Sequence, residues 1–589
     1  MAGIQINLIP APGRLRKLAG HCTRPRRLTR SLADVGRPES GAYRLTIAPG
    51  GITLQAPAQE GLFYAGQTLA QIRRQCGSRL PCLEITDWPA YPVRGFYHDV
   101  SRGKVPTLKT LLALAETCAS FKLNHLELYI EHTYAFRNHP EVWKNADPLT
   151  ADEIRTLDAR CAELHIDLVP SFSTFGHFYT WIHHKFPELN ELERNVSGEP
   201  FNWWDRMLHY TLDCRNPRSI QLVREIIREV RPLFRSKYFN ICADETFDLG
   251  TGRNKALAEK AGKGRLYVDF LNQIMAAVKE AGAIPLFWGD VIGHHPGLLP
   301  EIAREAIALD WDYSPDLRNT KAGLMEKSGR NYFVCPGTSG WNMWLPDFQK
   351  AHLNITRLAR HGRKHGASGL LNTDWGDFGH INTLGTSLPG LALGAAAAWN
   401  TGIRGLSPSS FDAAVSRLVL GDASGKLLPL LKKYATARKG SWTALSRMEQ
   451  PVSVDCQGQK TDPATGLPPD IFQHTARAHL SAWKTMRKLE PRIEKILARI
   501  RPQDRLIKHE IRTGLLGLRV MEEVHLLLHA RKKKIPGLPF APHSTALRLR
   551  GLERQLTFVW NQRNKPAELS RICEVLHRLR SRISAAAQP

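Results

Sequence analysis

The sequence predicts an α/β fold: a (β/α)8 TIM barrel with a small α/β domain before it and an α-helical domain after it. Three observations lead there. Between Val93 and Asn372, short apolar runs alternate with amphipathic helical stretches until eight strands are counted. The first ninety residues mix β-rich runs with one helix, and after about Asn400 the β signals stop. Nothing like G-x-G-x-x-G follows the first repeating strand, which sets aside a doubly wound dinucleotide-binding sheet.

In order, residues 1–90 give strands at Ile4–Ile9, Tyr43–Ile47 and Gly51–Leu54, bounded by Pro and Gly. A helix follows over Glu60–Gln75, with Leu62, Ala65, Leu69 and Ile72 on one face, then a strand at Cys82–Ile85. The cluster Asp87–Pro92 breaks the pattern as a linker. Residues 91–400 give barrel strands at Val93–Asp99, Asn124–Ile130, Asp167–Ser171, Tyr238–Ala243, Ile284–Trp288, Ala306–Asp310, Tyr332–Pro336 and Ala367–Asn372. Among the helices between them, Thr150–Leu164 opens with a capping box, Thr150 to Glu153. Residues 401–589 read as long helices over 410–449, 471–530 and 543–585, broken by Gly/Pro-rich stretches at 457–469 and 535–542. Packing or oligomerisation is their expected role, with a homodimer as the partner expectation.

With 42% hydrophobic and 23% charged residues, the chain has the balance of a soluble globular protein. Its net charge of +26 would attract anionic polymers, yet no nucleic-acid motif or aromatic-interleaved basic stripe accompanies it. The expectation is no nucleic acid and no membrane: the longest apolar run, around Leu388–Trp399, is too short to span a bilayer. Ten scattered cysteines without C-x-x-C spacing suit a reducing compartment, and the N-terminus lacks the apolar core of a signal peptide. Both point to the cytoplasm.

The informative positions are the strand ends, where barrels place their chemistry. Strand four, YFNICADETF, ends in adjacent acids, Asp244 and Glu245. Strand one carries Arg94 near its start and Asp99-Val-Ser101-Arg102 at its end. Strand three leads to His177, strand five to Trp288 and strand six to Trp311 and Tyr313. Strand seven leads to Trp341, and strand eight to Trp375 and Asp377. Tryptophans beside acids suit a sugar: indole faces cover the C–H face of a pyranose while carboxylates and arginines take its hydroxyls. Tryptophans that merely plug the barrel mouth would not need acids beside them at three strand ends. No metal is expected, because the histidine pairs lack co-ligands at zinc-site spacing. No cofactor is expected either.

Taken together these segments resemble the family 20 glycoside hydrolases, the β-N-acetylhexosaminidases. The resemblance covers roughly residues 1–400 and rests on RGFYHDVSRG (94–103), SFSTFGH (171–177), ADE (243–245), FWGD (287–290) and TDWGDFGH (373–380). The last third resembles the helical C-terminal domain of the family's cytoplasmic, exo-acting bacterial branch. The resemblance implies retaining hydrolysis in which the substrate's own 2-acetamido oxygen attacks the anomeric carbon and forms an oxazolinium ion. On it, Glu245 is the general acid/base and Asp244 holds the acetamido N–H. Arg94 binds O3/O4, Asp377 binds O4/O6, Trp375 stacks under the ring, and Trp288 and Trp311 wall the acetamido pocket. Asp99 and His177 form a pair that tunes Glu245, and Tyr313 or the loop around Trp341 bonds the acetamido carbonyl. One departure stands out: the family usually has glycine at one or both positions held here by Cys242 and Ala243.

The leading expectation is thus an exo-acting β-N-acetylhexosaminidase acting on carbohydrate with a terminal N-acetylhexosamine, GlcNAc and GalNAc both open. The alternative is a catalytically silent glycan-binding protein on the same fold. A third reading makes the barrel a passenger on a basic surface, with the run 530–534 as its contact.

Overall fold

The computed structural model describes residues 6–23, 27–193, 198–402, 405–450, 467–501, 505–533 and 537–585. Its first unit is a five-stranded sheet, β1 (Arg14–Cys22), β2 (Leu28–Leu32), β3 (Tyr43–Ala48), β4 (Gly51–Ala56) and β5 (Leu80–Asp87), ordered β1-β5-β3-β4-β2. The helix Gln59–Cys76 buries Tyr64, Ala65, Leu69 and Ile72 against it. Strands β1 and β2 escape sequence reading because they are sheet edges, largely solvent-exposed and basic, without an apolar face. The expected Ile4–Ile9 strand is corrected: residues 4 and 5 lie outside the described residues, and 6–9 form no strand. There the Ile9 amide donates to Gln71 Oε1 at 3.0 Å, and Gln71 Nε2 returns a bond to the Ile9 carbonyl at 2.6 Å.

Eight parallel strands then close a barrel: β6 (Val93–Asp99), β7 (His125–Ile130), β8 (Asp167–Phe172), β9 (Tyr238–Asn240), β10 (Ile284–Trp288), β11 (Ile307–Trp311), β12 (Tyr332–Cys335) and β13 (Gly369–Asp374). All eight expected strands are present. Parallel strands covered on both faces read as continuous apolar runs, which is why they were legible. The barrel interior is packed by Tyr97, Tyr129, Leu286, Trp288, Leu309, Phe333 and Leu371. The Thr150–Glu153 capping box forms as expected.

The first sheet is bolted to the barrel by buried polar contacts. Asp87 Oδ2 accepts from Lys122 Nζ at 2.8 Å and Tyr43 Oη at 2.6 Å, and its Oδ1 accepts from Trp399 Nε1 at 2.9 Å. After the barrel, the expected long helices are divided: Pro408–Leu418, Leu427–Ala437, Trp442–Met448, Ala476–Leu497, Arg505–Lys533, Pro542–Arg563 and Leu569–Ala585. Gly421 (φ 72°) and Gly425 (φ 71°) turn the chain between the first two. Position 534 of the basic run, Cys456 and most of the 457–469 stretch lie outside the described residues. Glu510 and Trp442 are among the residues that carry these helices to the barrel mouth. Glu510 accepts from the Gly385 amide at 3.1 Å, and Trp442 Nε1 donates to the Phe378 carbonyl at 2.9 Å.

Candidate active site

Strand β9 stops three residues sooner than expected, and its exit builds the centre of the site. Beyond Asn240 the backbone enters the left-handed region at Cys242 (φ 56°), Ala243 (φ 62°) and Glu245 (φ 46°). Each costs a non-glycine side chain about 1–2 kcal/mol, although the Cys242 carbonyl still accepts from the Trp288 amide of β10 at 3.0 Å. The surroundings hold the turn. The Cys242 amide donates to Asn240 Oδ1 at 2.9 Å, Tyr267 Oη to the Ala243 carbonyl at 2.9 Å, and the Glu245 amide to Asp290 Oδ2 at 3.1 Å. Glycine would take up this backbone at positions 242 and 243 without that cost. The Cys242 side chain lies inward, 3.5 Å from Ser171 Oγ, so its bulk does not crowd the acids.

The turn separates the two acids. Asp244 is sunk, its side chain 9% exposed, whereas Glu245 stands at the rim, 31% exposed. Asp244 Oδ1 is buried and has no hydrogen-bond partner among the described residues. His177 Nε2, 3.5 Å from Glu245 Oε2 and 3.8 Å from Asp244 Oδ2, reaches both. Gly176 makes this approach possible, because a Cβ there would meet the Asp244 carbonyl at 2.7 Å.

Electrostatics pull the acids apart. Burial pushes Asp244 above the usual carboxylate range, and the neighbouring Glu245 charge adds to it. Burial alone would raise Glu245 too, but the hydrogen bond from His177 and the charges of His177 and Arg102 bring it below the usual range. His177 is raised: burial opposes its charge, but the bond to Glu245 and the charges of the acid pair outweigh that. Asp290 is pushed up to about 7 by burial and by Asp244.

A cavity of about 170 Å³ opens above the pair. Its aromatic wall is Trp288, Trp311, Tyr313, Trp341 and Trp375, and its polar lining is Asp244, Glu245, Arg102 and Asp377. Trp375 Nε1 donates to Tyr313 Oη at 2.6 Å, and the Trp311 and Tyr313 rings stack 5.1 Å apart. Asp377 Oδ1 accepts from Arg102 Nη1 at 3.0 Å; burial, followed by repulsion from Asp99 and Glu245, lifts it to about 6 against the pull of Arg102. A second cavity of about 300 Å³ shares Glu245 and Trp311 with the first and adds Phe247, His294 and Lys321. Among the described residues, one group has metal-ligand spacing: His177, Asp244 and Glu245, with donor atoms within 4.8 Å of one another. The Arg102 guanidinium, 3.4 Å from His177 Nε2, sets a fixed positive charge against that spot. The trio therefore reads as a proton network.

Of the expected site residues, Asp244, Glu245, Trp288, Trp311, Tyr313, Trp341, Trp375 and Asp377 all line the cavity, and His177 lies beneath the acids. Two expectations are corrected. Arg94 sits near the amino end of β6, where Nε donates to the Lys122 carbonyl and Nη2 to Tyr64 Oη and Glu60, so it faces the helix Gln59–Cys76 of the first unit. Arg102, at the carboxyl end of the same strand, occupies the cavity instead. Asp99 does not pair with His177. Its Oδ1 accepts from the Ser101 and Arg102 amides and its Oδ2 from the Gly376 amide, which shapes the loops that carry Arg102 and Asp377. The strand-end rule, applied to RGFYHDVSR, points to Arg102 over Arg94. Met207, also on the cavity wall, comes from the short helix Trp203–Leu208 and gave no signal in sequence.

Residues 23–88 match the model of glycosyl hydrolase family 20, domain 2, and residues 91–341 that of the family 20 catalytic domain. A beta-hexosaminidase of Akkermansia muciniphila is 26% identical over 381 residues, 58% of this chain and 74% of the relative. The beta-hexosaminidase subunit A1 of Dictyostelium discoideum is 26% identical over 301 residues, and the chain spans about half of its length. Among solved structures, the Flavobacterium johnsoniae chitobiase shares the fold at a TM-score of 0.59 with 17% identity, covering 99% of this chain and 100% of that one. The exo beta-N-acetylglucosaminidase of Vibrio harveyi gives 0.56 with 18% identity, covering 72% and 77%. The two family models together take up more than half of the sequence, and their catalytic portion spans the acid pair: the chain belongs to glycosyl hydrolase family 20.

Proposed function

We propose that the protein is an exo-acting β-N-acetylhexosaminidase that removes a terminal β-linked N-acetylhexosamine by retaining, substrate-assisted catalysis. The observation that carries the reading is the buried, unpartnered Asp244 Oδ1 at the floor of an aromatic cavity, beside a more exposed Glu245. A buried acceptor without a donor is costly, and an acetamido N–H entering the cavity satisfies it. The cavity of about 170 Å³ over the acid pair suits one pyranose ring, and the adjoining cavities past Trp311 and Trp341 leave room for the rest of a glycan.

In this mechanism the acetamido carbonyl oxygen attacks the anomeric carbon while the glycosidic bond breaks. Asp244 orients the N–H and offsets the positive charge of the oxazolinium ion. Glu245 protonates the leaving oxygen, which departs toward the neighbouring cavity, and then takes a proton from the water that opens the ring. The free site stores its proton on His177, which passes it across the short gap to Glu245 Oε2 as the sugar displaces water. Arg102 and Asp377 take the hydroxyls far from the acetamido group, and Tyr313 supplies a hydroxyl at the aromatic wall. Turnover of an aryl N-acetyl-β-glucosaminide, and inhibition by a thiazoline mimic of the oxazolinium ion, test the reading. Binding of N-acetylglucosamine without any turnover would leave only the silent glycan binder.

The reading extends to place and assembly. A cytoplasmic location is supported by nine described cysteines, none in a disulfide and seven buried; secretion of the native protein into a culture medium would contradict it. No helix of the described residues is long and apolar enough to cross a membrane. A homodimer is supported by Leu547 (54% exposed) and Phe558 (47% exposed), eleven positions apart and so on one face of the helix Pro542–Arg563. A monomer mass by light scattering would contradict it.

A further inference from the structure

Arg102 is the cation that lines the sugar cavity, and it is the end of a buried line of alternating charges. Its Nε donates to Glu131 Oε1 at 3.2 Å. Glu131 Oε2 lies 3.5 Å from Arg206 Nε, a Coulombic contact without a formed hydrogen bond. Arg206 Nη1 donates to Glu568 Oε2 at 2.8 Å, and Arg571 Nη1 lies 3.0 Å from Glu568 Oε1. Arg206 Nη2 also donates to the carbonyl of Ser101, the residue before Arg102. The side chains of Arg102, Glu131, Arg206 and Glu568 are 4%, 3%, 2% and 8% exposed. A charge so deep survives only when compensated on each side. Burial opposes the charge of Glu131, yet Arg206 and Arg102 hold its carboxyl down at about 2.

These residues come from distant parts of the chain. Arg102 follows β6, Glu131 follows β7, Arg206 belongs to the helix Trp203–Leu208, and Glu568 lies in the turn before the last helix. The family matches end at residue 341, so Glu568 is supplied by the helices beyond them. Met207, the neighbour of Arg206, is itself on the cavity wall.

We infer that Arg206 and Glu568 are positioning residues for Arg102, through which the helical C-terminal region completes the sugar site. The inference rests on the cavity being the sugar site. A guanidinium binds two hydroxyls only when its plane is fixed; Glu131 Oε1, which also accepts from Tyr129 Oη at 3.0 Å, holds that of Arg102, and Arg206 faces the other carboxylate oxygen and offsets its charge. With the Glu568 charge removed, Arg206 turns toward Glu131 and competes with Arg102 for it. An ion chain that merely staples helices together would leave substrate binding unchanged once the protein has folded.

The test uses the full chain and an aryl N-acetyl-β-glucosaminide, with wild type, Glu568→Gln, Arg102→Ala and the double variant. Glu568→Gln is expected to raise KM roughly tenfold and to change kcat by less than about threefold. The double variant is expected to have the kcat/KM of Arg102→Ala alone, because Glu568 acts through Arg102. An unchanged KM, or penalties that multiply in the double variant, overturns the inference. Should Glu568→Gln not accumulate as folded protein, Glu568→Asp, which keeps the charge but withdraws it, carries the same test. Absence of wild-type turnover would instead defeat the proposed function, so the two failures are distinct.

Discussion

The acid pair divides its labour because one carboxyl is sunk and the other stands at the rim, and His177 connects them. The alkaline fall of kcat/KM should report loss of the proton shared by His177 and Glu245, a property of the pair. Because His177 is raised, that fall lies above its ordinary 6.5. Replacing His177 by Gln, which cannot carry the proton, should move the fall toward acid and lower kcat by about a hundredfold. A full pH–rate profile of both proteins checks this, and an unmoved fall would count against the network. Asp290 makes a stability prediction. Its carboxyl is pushed up to about 7 from 3.8, so the native protein keeps a proton that the unfolded chain releases between roughly pH 4 and 7. Stability therefore falls as pH rises through that window. Asp290→Asn should raise the melting temperature by about 2–4 °C or more at pH 8 and by little at pH 4.5; equal shifts at both pH values would contradict this. At this scale the sequence marked Asp244, Glu245 and His177 because chemistry-bearing side chains gathered at strand ends. It misplaced the arginine: Arg94 and Arg102 both flank the same strand, and only the direction of β6 decides which faces the cavity.

The barrel strands were legible because each is buried on both faces and reads as an apolar run. The edge strands β1 and β2 were not, since their side chains are mostly solvated and carry no alternation. The exit of β9 shows what periodicity misses. The apolar run YFNICA suggested a strand through Ala243, yet the left-handed turn at Cys242 bends the chain and aims the acids in different directions. Ala243→Gly should relieve about 1 kcal/mol of this strain and leave kcat close to wild type, whereas Ala243→Val should be destabilising. Urea midpoints rank the three proteins, and a Val variant as stable as wild type would refute the strain argument. Gly176 is the partner of this turn. Gly176→Ala places a Cβ against the Asp244 carbonyl and should cut kcat by about a hundredfold in a folded protein. Wild-type turnover in that variant would show that the acids tolerate displacement.

Across the whole molecule, the barrel is held at both ends by buried polar contacts, and the arginine correction has its consequence here. Arg94 belongs to the junction with the helix Gln59–Cys76 of the first unit, where Tyr64 and Glu60 take its Nη2. Arg94→Ala should lower stability by about 2–3 kcal/mol with KM nearly unchanged, whereas Arg102→Ala should raise KM steeply and also lower the melting temperature, because it uncovers the buried Glu131. Melting curves and Michaelis constants on the two proteins separate a structural arginine from a substrate arginine. The helices after the barrel were legible as helices, and so was the break at 535–542, but the breaks inside 410–449 were not, because Leu/Arg/Lys periodicity runs on through the glycine turns at 421 and 425. Their contribution to the site was invisible in sequence, since Glu568 meets Arg206 only through tertiary packing. The central claim is that Glu245 moves the proton while Asp244 serves the acetamido group. One measurement addresses it most directly: kcat for Glu245→Gln on two aryl N-acetyl-β-glucosaminides, one with a basic leaving group and one with a leaving group so acidic that it needs no protonation, each beside Asp244→Asn. The account predicts that Glu245→Gln loses turnover far more on the first substrate than on the second, while Asp244→Asn loses it equally on both. Equal losses for Glu245→Gln on both substrates, or wild-type rates for either variant, would contradict it.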